Sequence, residues 1–185
     1  MGKGKLFVIS GASGVGKSTV LSAVMSQRDD LLFSVSATTR APRPGEKEAV
    51  SYYFVSKETF LAMIENKEFI EYDAHMGNYY GTPVSQLEEK LRRGNVILDI
   101  EPNGAFNVRR NRPDAVLIFI APPSLETLEQ RLRGRGDTDE EQIRIRQERV
   151  AWEMAQSEAY DYTVVNDRVE DCAREILNII SAVAD

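Results

Sequence analysis

Gly11-Ala12-Ser13-Gly14-Val15-Gly16-Lys17-Ser18 has the spacing G-x-x-x-x-G-K-[ST], and its setting constrains the fold more than any other stretch of the chain. The apolar run Leu6-Phe7-Val8-Ile9 before it reads as a buried strand over Leu6–Ser10. The segment after it, Thr19-Val20-Leu21-Ser22-Ala23-Val24-Met25, reads as a helix that begins after Gly16 and ends near Gln27. A strand, a glycine-rich turn and a helix in that order make a phosphate-binding loop. Glycines let backbone N–H groups turn inward around phosphate oxygens. The helix N-terminus adds partial positive charge. Lys17 is then placed to meet β- and γ-phosphates, and the Ser18 hydroxyl to ligate Mg²⁺. Gly11 through Ser18, continued by Thr19, is the candidate nucleotide-binding stretch. The plain alternative is a glycine-rich turn beside a helix.

Composition narrows the class. The 185 residues are enough for a compact domain with a real core. A net charge of −6 argues against a duplex nucleic-acid binder, which would carry a basic face, while leaving room for a local basic pocket. Met1-Gly2-Lys3-Gly4-Lys5 leads straight into a strand and does not resemble a secretory signal. No apolar run approaches the roughly 20 residues of a membrane span. With Cys172 as the single cysteine, expected buried or half-buried, the chain fits a reducing cytoplasm.

Apolar runs alternate with helical patterns along the chain. Leu32–Val35, Tyr52–Val55, Phe69–Tyr72, Tyr79-Tyr80, Val96–Asp99, Ala115–Ala121 and Tyr162–Val165 read as strands. Lys57–Asn66 reads as a short helix, and Ala41–Glu46, with two prolines and a glycine, as a loop. Thr82-Pro83 predicts a helix start, with Thr82 as the cap and proline at the first helical position, closed by Gly94. Ser124 predicts another cap. A charged helix is expected from about Glu140 to Glu158, and Asp167-x-x-Glu170 suggests a capping box for a final helix. His75 falls in a predicted turn, Asp73–Gly77, exposed and without a metal partner.

Strands alternating with helices imply an α/β fold of the P-loop NTPase type, a parallel sheet with helices on both faces. Such sheets bind ligands at the carboxyl ends of their strands, where the glycine loop and Asp99 both fall. Residues 36–82 break the rhythm and read as an inserted subdomain for a second substrate. The core is then 1–35 with 83–185. Gly134–Asp139 reads as a mobile loop.

Arg40 and Arg43 put two guanidiniums on one loop, matched to phosphate oxygens or simply solvated. Tyr52 and Tyr79-Tyr80 offer hydroxyls and stacking faces, or an aromatic mini-core. Glu71 ends a strand, and Glu101 follows Asp99 by two residues and so faces the same side if the strand continues. Either carboxylate could equally be solvated.

These pieces together resemble the guanylate kinases over nearly the whole chain. The resemblance rests on Ser34-Val35-Ser36-Ala37-Thr38-Thr39-Arg40-x-Pro42-Arg43-x-Gly45-Glu46, on Tyr52-x-Phe54-Val55 and on Glu68-Phe69-Ile70-Glu71. It continues through Gly77-Asn78-Tyr79-Tyr80-Gly81-Thr82, Ile97-Leu98-Asp99-Ile100 and Phe119-Ile120-Ala121-Pro122-Pro123-Ser124. It closes with Arg131-Leu132-x-Gly134-Arg135-Gly136 and Val165-Asn166-Asp167. It implies ATP-dependent phosphorylation of GMP, with dGMP as a second acceptor and Mg²⁺ as cofactor. Neither nucleic acid nor membrane is implied as a partner. Arg40, Arg43, Tyr52 and Tyr80 would hold the GMP phosphate. Ser36, Glu71, Thr82 and Glu101 would read guanine. Arg131, Arg135 and Arg146 would act with Lys17 on the transferred phosphoryl group, from a short lid implied at residues 134–146. Asn166 would approach the ATP base or ribose, and Asp99 would meet the Mg²⁺ through water.

The chemistry agrees with those assignments. Guanine presents N1–H and an exocyclic amine along one edge, and a carboxylate accepts both. Adenine presents a lone pair there, which leaves buried groups unpaired. Two departures stand out. The family usually carries Asp-Ile-Asp where this chain has Asp99-Ile100-Glu101, followed by proline. The segment Arg144–Arg149 offers three candidates for one lid arginine, Arg146 by motif. A protein-binding scaffold domain of the same fold would lack Lys17 or the GMP-site arginines. A kinase for another small phosphate ester would lack the guanine-reading set.

Overall fold

The computed structural model describes residues 4–184 except 76, 125, 129–147 and 149. The chain divides into two compact units, Met1–Phe7 with Asp30–Ala115, and Val8–Asp29 with Val116–Asp185. A five-stranded sheet has the order β2-β7-β1-β8-β9, and a four-stranded sheet the order β4-β3-β6-β5. The α/β class expected from the sequence holds.

In the first unit, β2 (Leu31–Phe33) pairs in parallel with β7 (Asn95–Asp99). Pairing extends past β2, because Ser34 N–H donates to the Ile97 carbonyl at 2.8 Å. The start of β1 (Leu6–Gly11) lies along β7, which donates from Val96 N–H to the Lys5 carbonyl at 2.9 Å. Val96, Ile97 and Leu98 are fully buried, as a continuous apolar run in a parallel sheet requires.

The second sheet holds β3 (Ala37–Thr38), β4 (Tyr53–Phe54), β5 (Phe69–His75) and β6 (Asn78–Pro83). Ser56 caps α2 (Lys57–Glu65) by accepting from Thr59 N–H at 3.1 Å. Phe60 of α2 stacks on Phe69 and Tyr79, with ring centroids 4.4 and 5.5 Å apart, which gives this sheet its small core. The strands β5 and β6 are longer than expected. His75 pairs with Asn78, so it ends a strand rather than sitting in a turn. The exposure expected of the His75 side chain lies outside what is described.

Thr82 does not cap a helix. It is the penultimate residue of β6, and α3 (Val84–Leu91) starts after Pro83, which is its N-cap. A local cap signal lost here to a tertiary partner, since the Thr82 hydroxyl donates to Glu71. The sequence reading also lacks α4 (Pro102–Asn111), which has Glu101 as its N-cap and buries Ala105 and Val108. Pro102 stands at its first position, as proline prefers.

In the second unit, β1 leads into α1 (Lys17–Met25), and β8 (Val116–Ala121) pairs in parallel with β9 (Tyr162–Val165). The C-terminal helix, Val169–Ala184, buries Cys172, Ala173, Ile176 and Ile180 and packs against α1. It begins at Val169, so Asp167 lies outside the cap position that a capping box requires. Burial raises the Cys172 thiol to about 11. Ser124 is the expected cap, accepting from Thr127 N–H at 3.1 Å. Residues 150–155 are helical, and the charged helix gives way to a 3₁₀ turn at Gln156–Ala159, short of the expected Glu158.

Candidate active site

The glycine loop of the second unit is shaped for an anion. Gly16 is the N-cap of α1 with φ 93°, a left-handed conformation that a side chain would strain. No side chain caps α1 and no acidic residue occupies its first turn. The positive end of α1 therefore meets neither a side-chain cap nor an acidic neighbour, as a phosphate-binding helix end requires. Lys17 is half-buried at the first helical residue, with Ser18 and Thr19 exposed beside it.

Two buried side chains brace this loop. Glu153 is fully buried, and its Oε2 accepts from the Ser13 N–H at 2.7 Å. Asn166 is also buried, and its Nδ2 donates to the Val15 carbonyl at 2.7 Å. Through its Nδ2 Asn166 thus braces the glycine loop. Nothing in the sequence marks Glu153. It stands 140 residues from Ser13 on a charged helix, where a carboxylate reads as solvated. Arg131, Arg135 and Arg146, with the lid at 134–146, lie outside the described residues.

The first unit brings Glu71, Thr82 and Ser36 together. An irregularity in β5 between Phe69 and Glu71 shifts the register, so that Glu71 stands opposite Thr82. Such bulges re-aim side chains. Thr82 donates to the Glu71 carboxylate at 2.6 Å, and the Ser36 hydroxyl lies 3.5 Å from that of Thr82. Glu71 and Thr82 are buried and Ser36 is half-buried. Burial raises the Glu71 carboxyl to about 7, against the opposing effect of the Thr82 hydrogen bond.

The arginine loop of the same unit carries a second cluster. Both terminal nitrogens of Arg40 donate to Glu46, at 2.9 Å each, in a bidentate pair. Glu46 also accepts from the Arg43 N–H at 2.7 Å. The Arg40 guanidinium lowers the Glu46 carboxyl to about 2 and is itself raised, first by Glu46 and also by Tyr80. Tyr52 lies under Arg40, 5.4 Å from ring centroid to guanidinium, and meets Tyr80 edge-on at 6.0 Å. Strand alternation separates the two tyrosines: Tyr79 joins the Phe60 core and Tyr80 faces the Arg40 cluster. Arg43 is exposed on the same loop. Glu46 holds the fork of Arg40 in place. Glu46 closes the arginine motif in the sequence, which does not reveal its partner.

Asp99 ends β7, half-buried, and Glu101 is the exposed N-cap of α4. The strand alternation that would align Glu101 with Asp99 stops at Asp99, so the two carboxylates do not share a strand face as expected. Among the described residues no group of three acidic, His or Cys side chains could hold a metal ion. Ser18 offers one exposed hydroxyl at the anion-shaped loop. That sparse donor set fits Mg²⁺, which keeps most of its waters and arrives on phosphates.

The model of the guanylate kinase family matches residues 3–183. The chain is 47% identical over 181 residues to a guanylate kinase of Thermus thermophilus, covering 97% of this chain and 82% of that one. It is 44% identical over 179 residues to a guanylate kinase of Prochlorococcus marinus subsp. pastoris, covering 96% and 97%. The crystal structure of guanylate kinase from Anaplasma phagocytophilum superposes with a TM-score of 0.78 at 35% identity. That match covers 100% of this chain and 88% of that chain.

Proposed function

Because the chain belongs to the guanylate kinase family, we propose that its first unit binds GMP and its second binds ATP, for transfer of the γ-phosphoryl group to GMP. The observation that carries this assignment is the buried Glu71 carboxylate held by Thr82 beside Ser36. Ionised, Glu71 accepts from guanine N1–H and the exocyclic amine, and the two hydroxyls complete the edge. Arg40, Arg43, Tyr52 and Tyr80 take the GMP phosphate. Phosphate oxygens compete with Glu46 for the Arg40 fork, so Glu46 holds that fork in place until the substrate arrives. Residues 36–82 serve as the GMP-binding subdomain. The same groups read only base and phosphate, so dGMP is also an acceptor.

Gly11–Thr19 holds the triphosphate, with Lys17 on the β- and γ-oxygens. Phosphoryl transfer asks for positioning and charge neutralisation more than covalent chemistry. Ser18 would hold Mg²⁺, with Asp99 reaching it through water, and the ion when bound would supply positive charge against the phosphates. Arg131, Arg135 and Arg146 would add positive charge at the transferred group, and the lid at 134–146 would exclude water. No helix among the described residues is long and apolar enough to cross a membrane. We place the enzyme in the cytoplasm, where its substrates are and where Cys172 stays a thiol.

The pH dependence of GMP use tests the site. Guanine binds the ionised carboxyl, so GMP binding releases a proton wherever free Glu71 is protonated. With Glu71 raised to about 7, its ionised fraction falls roughly tenfold between pH 8 and pH 6. The KM for GMP rises by about the same factor over that range. Glu71→Gln removes this dependence and keeps only that of the substrate phosphate, whose second pKa is near 6. The unliganded fold has the opposite sign. A raised carboxyl favours it at low pH, and that contribution is lost as pH rises through about 7. A KM for GMP with the same pH profile in both proteins contradicts the assignment of Glu71.

A further inference from the structure

We propose that Gly104 is a positioning residue for guanine recognition, keeping clear the space that the Glu71 carboxylate occupies. The inference rests on the reading of Glu71 as the guanine acceptor. Gly104 is buried in the first turn of α4, where glycine is a poor choice for a helix. Its backbone gives no reason for glycine, since it is not among the residues with positive φ. The reason lies in the space above it. A Cβ on Gly104 would lie 2.7 Å from Glu71 Oε2 and 3.4 Å from Glu71 Cδ. Thr82 holds the other oxygen, Oε1, at 2.6 Å. The carboxylate is therefore clamped between a hydroxyl on β6 and a bare Cα on α4.

A methyl group at position 104 meets the tip of a flexible side chain, not backbone. Glu71 also lines a cavity of about 490 Å³ with Tyr72 of β5 and Asn107, Arg110 and Asn111 of α4. The carboxylate has room to swing aside, so the fold yields easily and Thr82 and the guanine edge lose their partner. The consequence falls on GMP binding and spares stability, the opposite of what an ordinary buried helical glycine would show.

The test compares Gly104→Ala, Glu71→Gln, Glu71→Asp and the double variant Gly104→Ala/Glu71→Asp. It uses GMP calorimetry, the KM for ATP and thermal melting. Gly104→Ala is expected to weaken GMP binding about tenfold or more, with the KM for ATP within twofold of wild type and a melting temperature unchanged or raised. Glu71→Asp withdraws the carboxylate by one methylene, so it weakens GMP binding less in the Gly104→Ala background than alone. If Gly104→Ala binds GMP normally while Glu71→Gln does not, the role of Gly104 is wrong and the reading of Glu71 stands. If Glu71→Gln also binds GMP normally, the reading of Glu71 falls and this inference with it. A Gly104→Ala variant that unfolds, or weakens both nucleotides equally, makes the glycine merely structural and overturns the proposal.

Discussion

Lys17→Ala lowers phosphoryl transfer by about a thousandfold or more, and GMP binding and the melting temperature stay at wild-type values. The magnitude is that of removing a preorganised charge from a developing phosphoryl transition state. Lys17 opens α1 directly after Gly16, at a helix end with no side-chain cap and no acidic neighbour in the first turn. On the proposed assignment the anion there is met by backbone N–H groups and by the Lys17 ammonium. Removing it leaves the cradle formed but undercharged at the β- and γ-oxygens. The fold does not depend on Lys17, because the loop is braced from elsewhere, by Glu153 on Ser13 and Asn166 on Val15. Single-turnover rates with bound ATP and GMP, alongside a melting curve, check the prediction. Near-normal turnover in a folded Lys17→Ala protein would contradict the assignment of the loop.

Glu71→Gln weakens GMP binding by ~2 kcal/mol, roughly thirtyfold, and leaves ATP binding unchanged. Gln is nearly isosteric, so packing against Thr82 and Gly104 survives. The substitution removes the charge that accepts two donors from guanine, and one end of the new amide presents donors of its own. A buried donor facing N1–H or the amine is left unpaired, which costs more than the loss of an attraction. The Thr82 hydroxyl still donates to the amide oxygen, so stability changes little. Separate calorimetric titrations with GMP and with an ATP analogue check this. Equal losses for both ligands would make Glu71 a structural residue.

Local signals carried much of the fold into the sequence. The glycine loop, the β1 run and the Ser124 cap are each determined within a few residues, and the structure places them where the pattern does. The reading failed where a side chain serves a distant partner. Thr82 before proline looks like a helix cap, but its hydroxyl belongs to Glu71 across the hairpin. α4, which opens on Pro102-Asn103-Gly104, has no counterpart among the elements expected from the sequence. Its helical signal was the pair Ala105 and Val108, three residues apart and both buried. Within the candidate site, the arginine loop and the Glu71 strand were legible through the family resemblance. The braces Glu153 and Glu46 were not, since a carboxylate on a polar stretch gives no sign of its partner.

The central claim is a nucleotide kinase whose acceptor is chosen by a carboxylate on the guanine edge. The most direct measurement is ADP formation from ATP and Mg²⁺ with GMP, AMP, CMP, UMP or a ribose bisphosphate as acceptor, each at the same concentrations. The account predicts fast turnover with GMP and a kcat/KM for AMP lower by about 10⁴, the scale at which a site built for hydrogen bonds rejects the wrong partner. Comparable kcat/KM values for GMP and AMP, or a preference for the ribose bisphosphate, would contradict it.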